Sequence, residues 1–355
     1  MGAVALLLSF TSSAAARPSL LPLKKARQAP HIAGFSVRGT QIFAPDGSVF
    51  VPRGVNKGGL EYQPWGYDEA FWNYQQMKSW GANFVRIPLS PAFALTRMCT
   101  YDKNYMARVD RIVRWAEQLR MLVLLDDHAS SRGFTCGVGN WAAVHNKAPD
   151  LHNRDFVEML AARYKNHPWV AIDLYNEPHD ITDWVWRNGG MVDGYRAIGM
   201  QQLLEAVRST GNKNLVFVSG NMWANDLRMV VDTPLSNDWN VVYAAHSYPF
   251  NCDRVVSIRE PYTCRGLQIP PHLDTQIAPA IAKRAVMLTE FGTQRAIPGE
   301  VQAPIDWAEQ HHIGWAAWLW DDGKISDFCL LHESRRYEPS VIGRPVFDAL
   351  QRAAL

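Results

Sequence analysis

The chain predicts an α/β fold, a (β/α)8 TIM barrel, and three observations predict it. Eight short apolar runs recur along the 355 residues, beginning at Val51, Asn83, Met121, Val170, Leu215, Val241, Ala285 and Gly314. The stretches between them carry apolar residues at helical spacing, and continuous apolar strands alternating with amphipathic helices mark a parallel sheet covered on both faces. The length suits one barrel, which takes about 250 residues plus insertions. The alternative, an open doubly wound sheet, wants a Gly-rich dinucleotide fingerprint after its first strand, and none follows here.

The elements follow in order. Val4-Ala5-Leu6-Leu7-Leu8 and then Ala14-Ala15-Ala16 read as a signal peptide over residues 1–16, although the usual basic start is missing. Residues 17–35 are rich in Pro, Ala and basic side chains without periodicity, so they read as a flexible leader to one barrel domain over 36–355. Ile42-Phe43 and Val49-Phe50-Val51 flank Asp46-Gly47, the signal of an N-terminal β-hairpin that would plug the barrel floor. Val51-Pro52-Arg53-Gly54-Val55-Asn56 enters the first barrel strand, and Phe71, Tyr74, Met77 and Trp80 mark the helix after it. The second strand is Asn83 to Pro88, followed by a helix from Met106 to Leu119, and the third is Met121 to His128. Helices over Phe156–Tyr164 and Tyr195–Val207 lead into the fourth and fifth strands at Val170 and Leu215. Val241 to His246 is the sixth; helices at Ile277–Lys283 and Ala303–His311 precede the seventh and eighth. Neither an internal repeat nor a linker marks a second domain.

Composition excludes several partners. A net charge of +2, with Lys and Arg scattered and in no basic run, argues against nucleic acid and against an anionic membrane surface. Beyond the leader no stretch approaches the ~20 apolar residues of a membrane span. The chain reads as a secreted monomer with no membrane association after signal cleavage. Five cysteines in an exported chain suggest disulfides. Cys252 and Cys264 bracket one polar loop, Cys99 and Cys136 fall in loops that a barrel makes neighbours, and Cys329 is left over. Fourteen tryptophans offer flat faces that suit sugar rings.

Barrel enzymes carry their reactive side chains at the C-terminal ends of the strands, so the polar residue closing each run is the place to look. Arg86 closes the second strand, His128 the third, Asn176-Glu177 the fourth, His246-Ser247-Tyr248 the sixth, Glu290 the seventh, and Trp318 or Trp320 the eighth. Two glutamates far apart in sequence, each at the exit of a buried strand, fit the paired carboxyl groups of a retaining glycosidase. Arg86 would hold Glu290 ionised for attack, and Tyr248 would donate to the same carboxylate. A neighbouring carboxylate roughly 5 Å away would keep Glu177 protonated until the leaving oxygen needs the proton. Asn176 would bond a sugar 2-hydroxyl, and His128 and His246 would act as neutral hydrogen-bonding imidazoles. Asp126 and Asp127 read as supporting acceptors. Trp318 would stack on the sugar next to the cleavage point, with Trp223, Trp65 and Trp141 as loop candidates for more distant subsites.

The ordered set Arg53-Gly54-Val55-Asn56, Val85-Arg86-Ile87-Pro88, Asp127-His128, Tyr175-Asn176-Glu177-Pro178, His246-Ser247-Tyr248, Thr289-Glu290-Phe291-Gly292 and Trp318 resembles glycoside hydrolase family 5, which includes many secreted cellulases. The resemblance runs from about Gly54 to Trp320. It implies Glu177 as general acid/base and Glu290 as nucleophile, with Arg86, His128, Asn176, His246, Tyr248 and Trp318 lining the site. It also implies an endo-β-glycanase acting on β-1,4-glucan, with mannan, xyloglucan or another β-glycoside as the alternative substrate.

Rival chemistries are weaker. A non-catalytic carbohydrate-binding barrel would have no use for both glutamates together with Arg86 and Tyr248. No cofactor is called for, and no metal: His311-His312 has no ligand at metal spacing, and His-Glu-x-x-His is absent. Gly-x-Ser-x-Gly does not occur either, which counts against a serine hydrolase.

Overall fold

In the computed structural model the described residues are 34–128, 146–249, 272–323 and 327–354. Fourteen strands are formed among them. Ser36–Arg38 (β1) and Gln41–Phe43 (β2) pair as a hairpin, followed by Arg53–Asn56 (β3), Phe84–Leu89 (β4), Leu122–Asp127 (β5) and Val170–Asp173 (β6). Gly189–Val192 (β7) and Tyr195–Ile198 (β8) form a second hairpin. Val216–Ser219 (β9), Val241–Ser247 (β10), Val286–Phe291 (β11) and Gly314–Ala317 (β12) come next, then a last hairpin of Leu331–His332 (β13) and Arg335–Pro339 (β14). Strands β3, β4, β5, β6, β9, β10, β11 and β12 close in that order into a parallel barrel, so all eight predicted strands are present.

Two side-chain sets follow from the period of a strand. Val85, Ile87, Val123, Leu125, Val216, Val241, Tyr243 and Leu288 face the surrounding helices in one large core. Phe84, Leu122, Leu124, Ala171, Phe217, Val242, Ala244, Met287 and Ala316 fill the barrel interior in a second. Helix Tyr105–Gln118 shows the outer layer well, with Val109, Ile112, Val113 and Ala116 buried on one face. The barrel closes tightly at Gly54, where a Cβ would lie 1.8 Å from the Phe84 carbonyl oxygen, so no side chain fits. Phe35 and Ile42 join the interior core from below, with Val37 and Phe50 against it, and Asn240 accepts from the Val37 N–H at 2.7 Å. The hairpin therefore plugs the floor as expected.

Its register differs from the expectation. The turn at Asp46-Gly47 carries only a single bridge between Phe43 and Val49, while the paired strands turn earlier, at Gly39-Thr40, where Gly39 adopts φ +63°. The helix predicted to begin at Tyr195 also starts later, over Met200–Ser209, because Tyr195–Ile198 is a strand. Asp193-Gly194 is the cause: both residues take positive φ in the two-residue hairpin turn that Asp-Gly favours. The helix predicted over Ile277–Lys283 is a π turn, Leu273–Ile277, running into Ala278–Ile281. Helix Gly343–Ala354 closes the chain over the outer core through Val346, Ala349 and Leu350.

Among the described residues no helix is long and apolar enough to cross a membrane. Cys329, the cysteine expected to be left over, is a thiol. The expected pairs Cys252–Cys264 and Cys99–Cys136 include Cys136, Cys252 and Cys264, and these, with Trp141, lie outside the described residues, as do residues 1–33.

Candidate active site

The inward set of each strand changes character at the C-terminal end. Continuing inward from Phe84 the next residue is Arg86, after Leu124 come Asp126 and His128, after Ala171 comes Asp173, and after Ala244 comes His246. Strand periodicity thus delivers a layer of polar groups on top of an apolar plug. Glu290 does not follow by simple alternation. With Met287 inward, Thr289 is next in phase, but the pairing of β10 with β11 shifts between Ala245 and His246, so that His246 faces Glu290. This β-bulge turns Glu290 into the barrel mouth.

Arg86 is fully buried at the centre of the layer. Its Nη1 donates to Glu290 and, at 3.1 Å, to Asn56 Oδ1. Its Nη2 donates to Asn176 Oδ1 at 2.7 Å and lies 3.0 Å from Asp126 Oδ2, and its Nε donates to Asp173 Oδ2 at 3.2 Å. Burial alone would lower the guanidinium pKa, but Asp126, Glu290 and Asp173 outweigh it and raise it, so the cation is permanent. Tyr248 donates to the other Glu290 oxygen at 2.8 Å. Burial first, and then the charges of Glu290 and Glu177, push that phenol well above the ordinary range, so it remains a donor.

Glu177 sits against His246, whose Nδ1 is 2.7 Å from Oε1. An oxygen of Glu177, a ring nitrogen of His246 and an oxygen of Glu290 all lie within 4.8 Å of one another. This is the one set among the described residues close enough to share a metal ion, but the Arg86 guanidinium on Glu290 works against a second cation there. Burial pulls the imidazoles down, His246 to about 4 and His128 to about 3. Both rings are neutral at working pH and neither titrates between about pH 5 and 8, which imidazole nitrogen NMR shifts across that range will report as flat lines.

The remaining expected residues fall into place around this core. His128 donates or accepts through Nδ1 with Asp126 at 2.7 Å, and Trp318 lies flat on its ring at 5.3 Å with an 8° interplanar angle. Trp320, the other tryptophan considered, is 1% exposed and turned away, edge-on to Trp80 with its indole N–H on Asn73. Strand β12 ends at Ala317, so alternation no longer ties 318 to 320. Trp223 stacks on His179 at 3.5 Å, and its N–H bonds the Pro178 carbonyl. Met222, Trp223 and Ala224 all hold positive φ, a costly run for residues with a Cβ. Trp65 stands exposed in the loop after β3. Asp127 is the supporting acceptor expected, accepting twice from Asn153, and through that contact it anchors helix Leu151–Tyr164.

Asn56 and Asp173 carry site functions that were not singled out from sequence. A charged residue inside the buried run Val170–Leu174 was the available signal for Asp173. A cavity of about 680 Å³ opens between the loops after β3 and β12, lined by Lys57, Tyr67, Trp320, Asp321, His332 and Tyr337 among others. Its lining includes neither glutamate.

A mannan endo-1,4-beta-mannosidase of Salipaludibacillus agaradhaerens is 23% identical over 299 residues, covering 81% of this chain and 82% of its own. A cellulase of a Thermoanaerobacterium species and endoglucanase N of Pectobacterium atrosepticum are each 22% identical; this chain spans 64% and 53% of their lengths. Among solved structures, a beta-glucanase from Saccharophagus degradans in complex with cellotetraose superposes with a TM-score of 0.69 at 19% identity, covering 94% of this chain and 98% of that one. That likeness bears on the fold. Residues 49–324 match the cellulase model of glycosyl hydrolase family 5, and the chain belongs to that family.

Proposed function

We propose that the protein is a secreted, retaining endo-β-glycanase that hydrolyses β-1,4-glucan, with Glu290 as nucleophile and Glu177 as general acid/base. The observation that carries this reading is the spacing and the contrast of the two carboxyl groups. One oxygen of each lies within 4.8 Å of the other, in keeping with a retaining pair, whereas the carboxyl groups of an inverting pair stand about 6.5–9.5 Å apart to seat a water. Glu290 is clamped by a permanent cation and a phenol, as a nucleophile must be; Glu177 lies against the neutral imidazole of His246, with which a proton can be exchanged.

The chemistry then runs in two steps. Glu290 attacks the anomeric carbon while the bond to the leaving oxygen breaks and that oxygen takes the Glu177 proton. Water next attacks the same carbon, gives its proton to Glu177, and the ester to Glu290 breaks. Asn176 supports the transition state: Arg86 occupies its Oδ1, and its buried Nδ2 has no hydrogen-bond partner among the described residues, leaving N–H groups for a sugar 2-hydroxyl. Trp318, stacked on His128, and Trp223, stacked on His179, are the sugar platforms of this reading. The apolar leader before Ala14-Ala15-Ala16 supports export, which in turn favours the two disulfides.

Glu177→Ala tests the acid/base role. Turnover on polysaccharide is expected to fall about 1000-fold, within the range set by loss of a general acid, while an aryl glycoside with a good leaving group keeps much of its rate and azide restores more. Loss of both substrates alike, with no azide product, removes the assignment. Mannan is the second reading, favoured by the mannosidase relative that covers most of the chain. Chromatography of products from β-glucan, mannan, xylan and xyloglucan decides between them.

A further inference from the structure

Arg86 meets three carboxylates in a place without solvent. Besides Glu290, Asp126 Oδ2 is 3.0 Å and Asp173 Oδ2 is 3.2 Å from the same Nη2, and the two aspartates are register neighbours on β5 and β6. Both are wholly unexposed, and each has an Oδ1 with no hydrogen-bond partner among the described residues. The other groups facing them are the neutral His128 just past β5, Asn56 from β3, Asn176 beyond β6 and Glu290 from β11, and the carboxyl groups of Glu177, Glu61 and Asp127 act on the pair through charge. Arg86 is thus the one cation bonded to them among the described residues. With every carboxylate ionised, three negative charges would share one guanidinium, and like charges so close in a dry site do not all persist.

The contacts say which group yields. Asp126 Oδ2 takes His128 Nδ1 at 2.7 Å and Arg86 at 3.0 Å, whereas Asp173 Oδ2 has only the longer approaches of Nη2 and Nε, both 3.2 Å. We propose that Asp173 is a carboxylic acid at neutral pH and Asp126 its ionised neighbour, and that their combined single charge positions the guanidinium on Glu290. Burial raises both carboxyl groups, Asp173 further, to about 8 against about 7 for Asp126. Both are positioning residues, acting on the reaction through Arg86. The proton assignment stands by itself; its consequence for catalysis rests on the reading of Glu290 as nucleophile.

Infrared difference spectroscopy in a Glu177→Gln background, which removes the acid of the cleft, reads the proton directly. Asp173→Asn is expected to delete one carboxylic acid carbonyl band at neutral pH. Asp126→Asn is expected to delete the same band, because Asp173 must then ionise to partner Arg86. If Asp173→Asn deletes carboxylate bands and no acid band, both aspartates are ionised and the proposal fails. Kinetics test the positioning role: in the wild-type background Asp126→Asn/Asp173→Asn together lower kcat/KM on an aryl glycoside by about 100-fold, far more than the product of the single effects. Strictly multiplicative effects would overturn that role. Full activity in Glu290→Gln protein, with the acid band behaving as stated, would instead remove the nucleophile reading and leave the protonated Asp173 standing.

Discussion

Glu290→Gln is expected to lower kcat by about 10,000-fold or more, with KM little changed, because an amide cannot form the glycosyl ester. The structure makes this variant unusually clean. Arg86 and Tyr248 grip the two oxygens separately, and a glutamine carbonyl would keep the Arg86 bond while its amide meets the Tyr248 oxygen, so the fold has no reason to change. Mass spectrometry supplies the complementary reading. Wild-type protein treated with a slow 2-fluoro glycoside gains one glycosyl mass on the peptide containing Glu290, and the Gln variant gains none. Undiminished turnover by Glu290→Gln would dismiss Glu290 as nucleophile, and labelling elsewhere would name its replacement.

Arg86→Met is expected to cost about 3–5 kcal/mol of stability, the range for stripping one partner from a buried ion pair. It leaves Glu290, Asp126 and Asp173 without their shared cation and removes a donor from Asn56 and Asn176 as well. Thermal or denaturant unfolding measures the loss. Activity falls too, by about 100- to 1000-fold, the range for losing one preorganised electrostatic contact. Arg86→Lys separates the two effects. It keeps the charge and recovers part of the stability, but an ammonium cannot reach Glu290, Asn176 and Asp173 together as the planar guanidinium does, so turnover stays low. A Lys variant with wild-type kcat would show that charge, not geometry, is what the site takes from this residue.

The candidate site was legible to the degree that it obeys strand periodicity. Arg86, His128 and His246 stand at inward phase at the end of apolar runs, and each lies where that phase puts it. Glu290 was found from its place after an apolar run, yet counting from Met287 would have aimed Thr289 inward; the bulge opposite His246 is a hydrogen-bonding choice between two strands that no local pattern announces. Asp127, in a run of two aspartates, looked equivalent to Asp126. Only its phase, outward to Asn153, separates a helix anchor from a partner of Arg86. Trp318 and Trp320 were indistinguishable as letters because both lie past the end of the strand, where packing against Trp80 draws one away and His128 receives the other.

By itself, the sequence determined the eight-stranded barrel, the floor plug and the pair of glutamates at the strand ends, because apolar runs and polar exits are local properties of a chain. The tertiary structure alone decided which acids share Arg86, which tryptophan faces the cleft and how close Glu177 comes to Glu290. Those depend on the register and closure of strands distant in sequence, where a shift of one residue turns a side chain from the cavity to the helices.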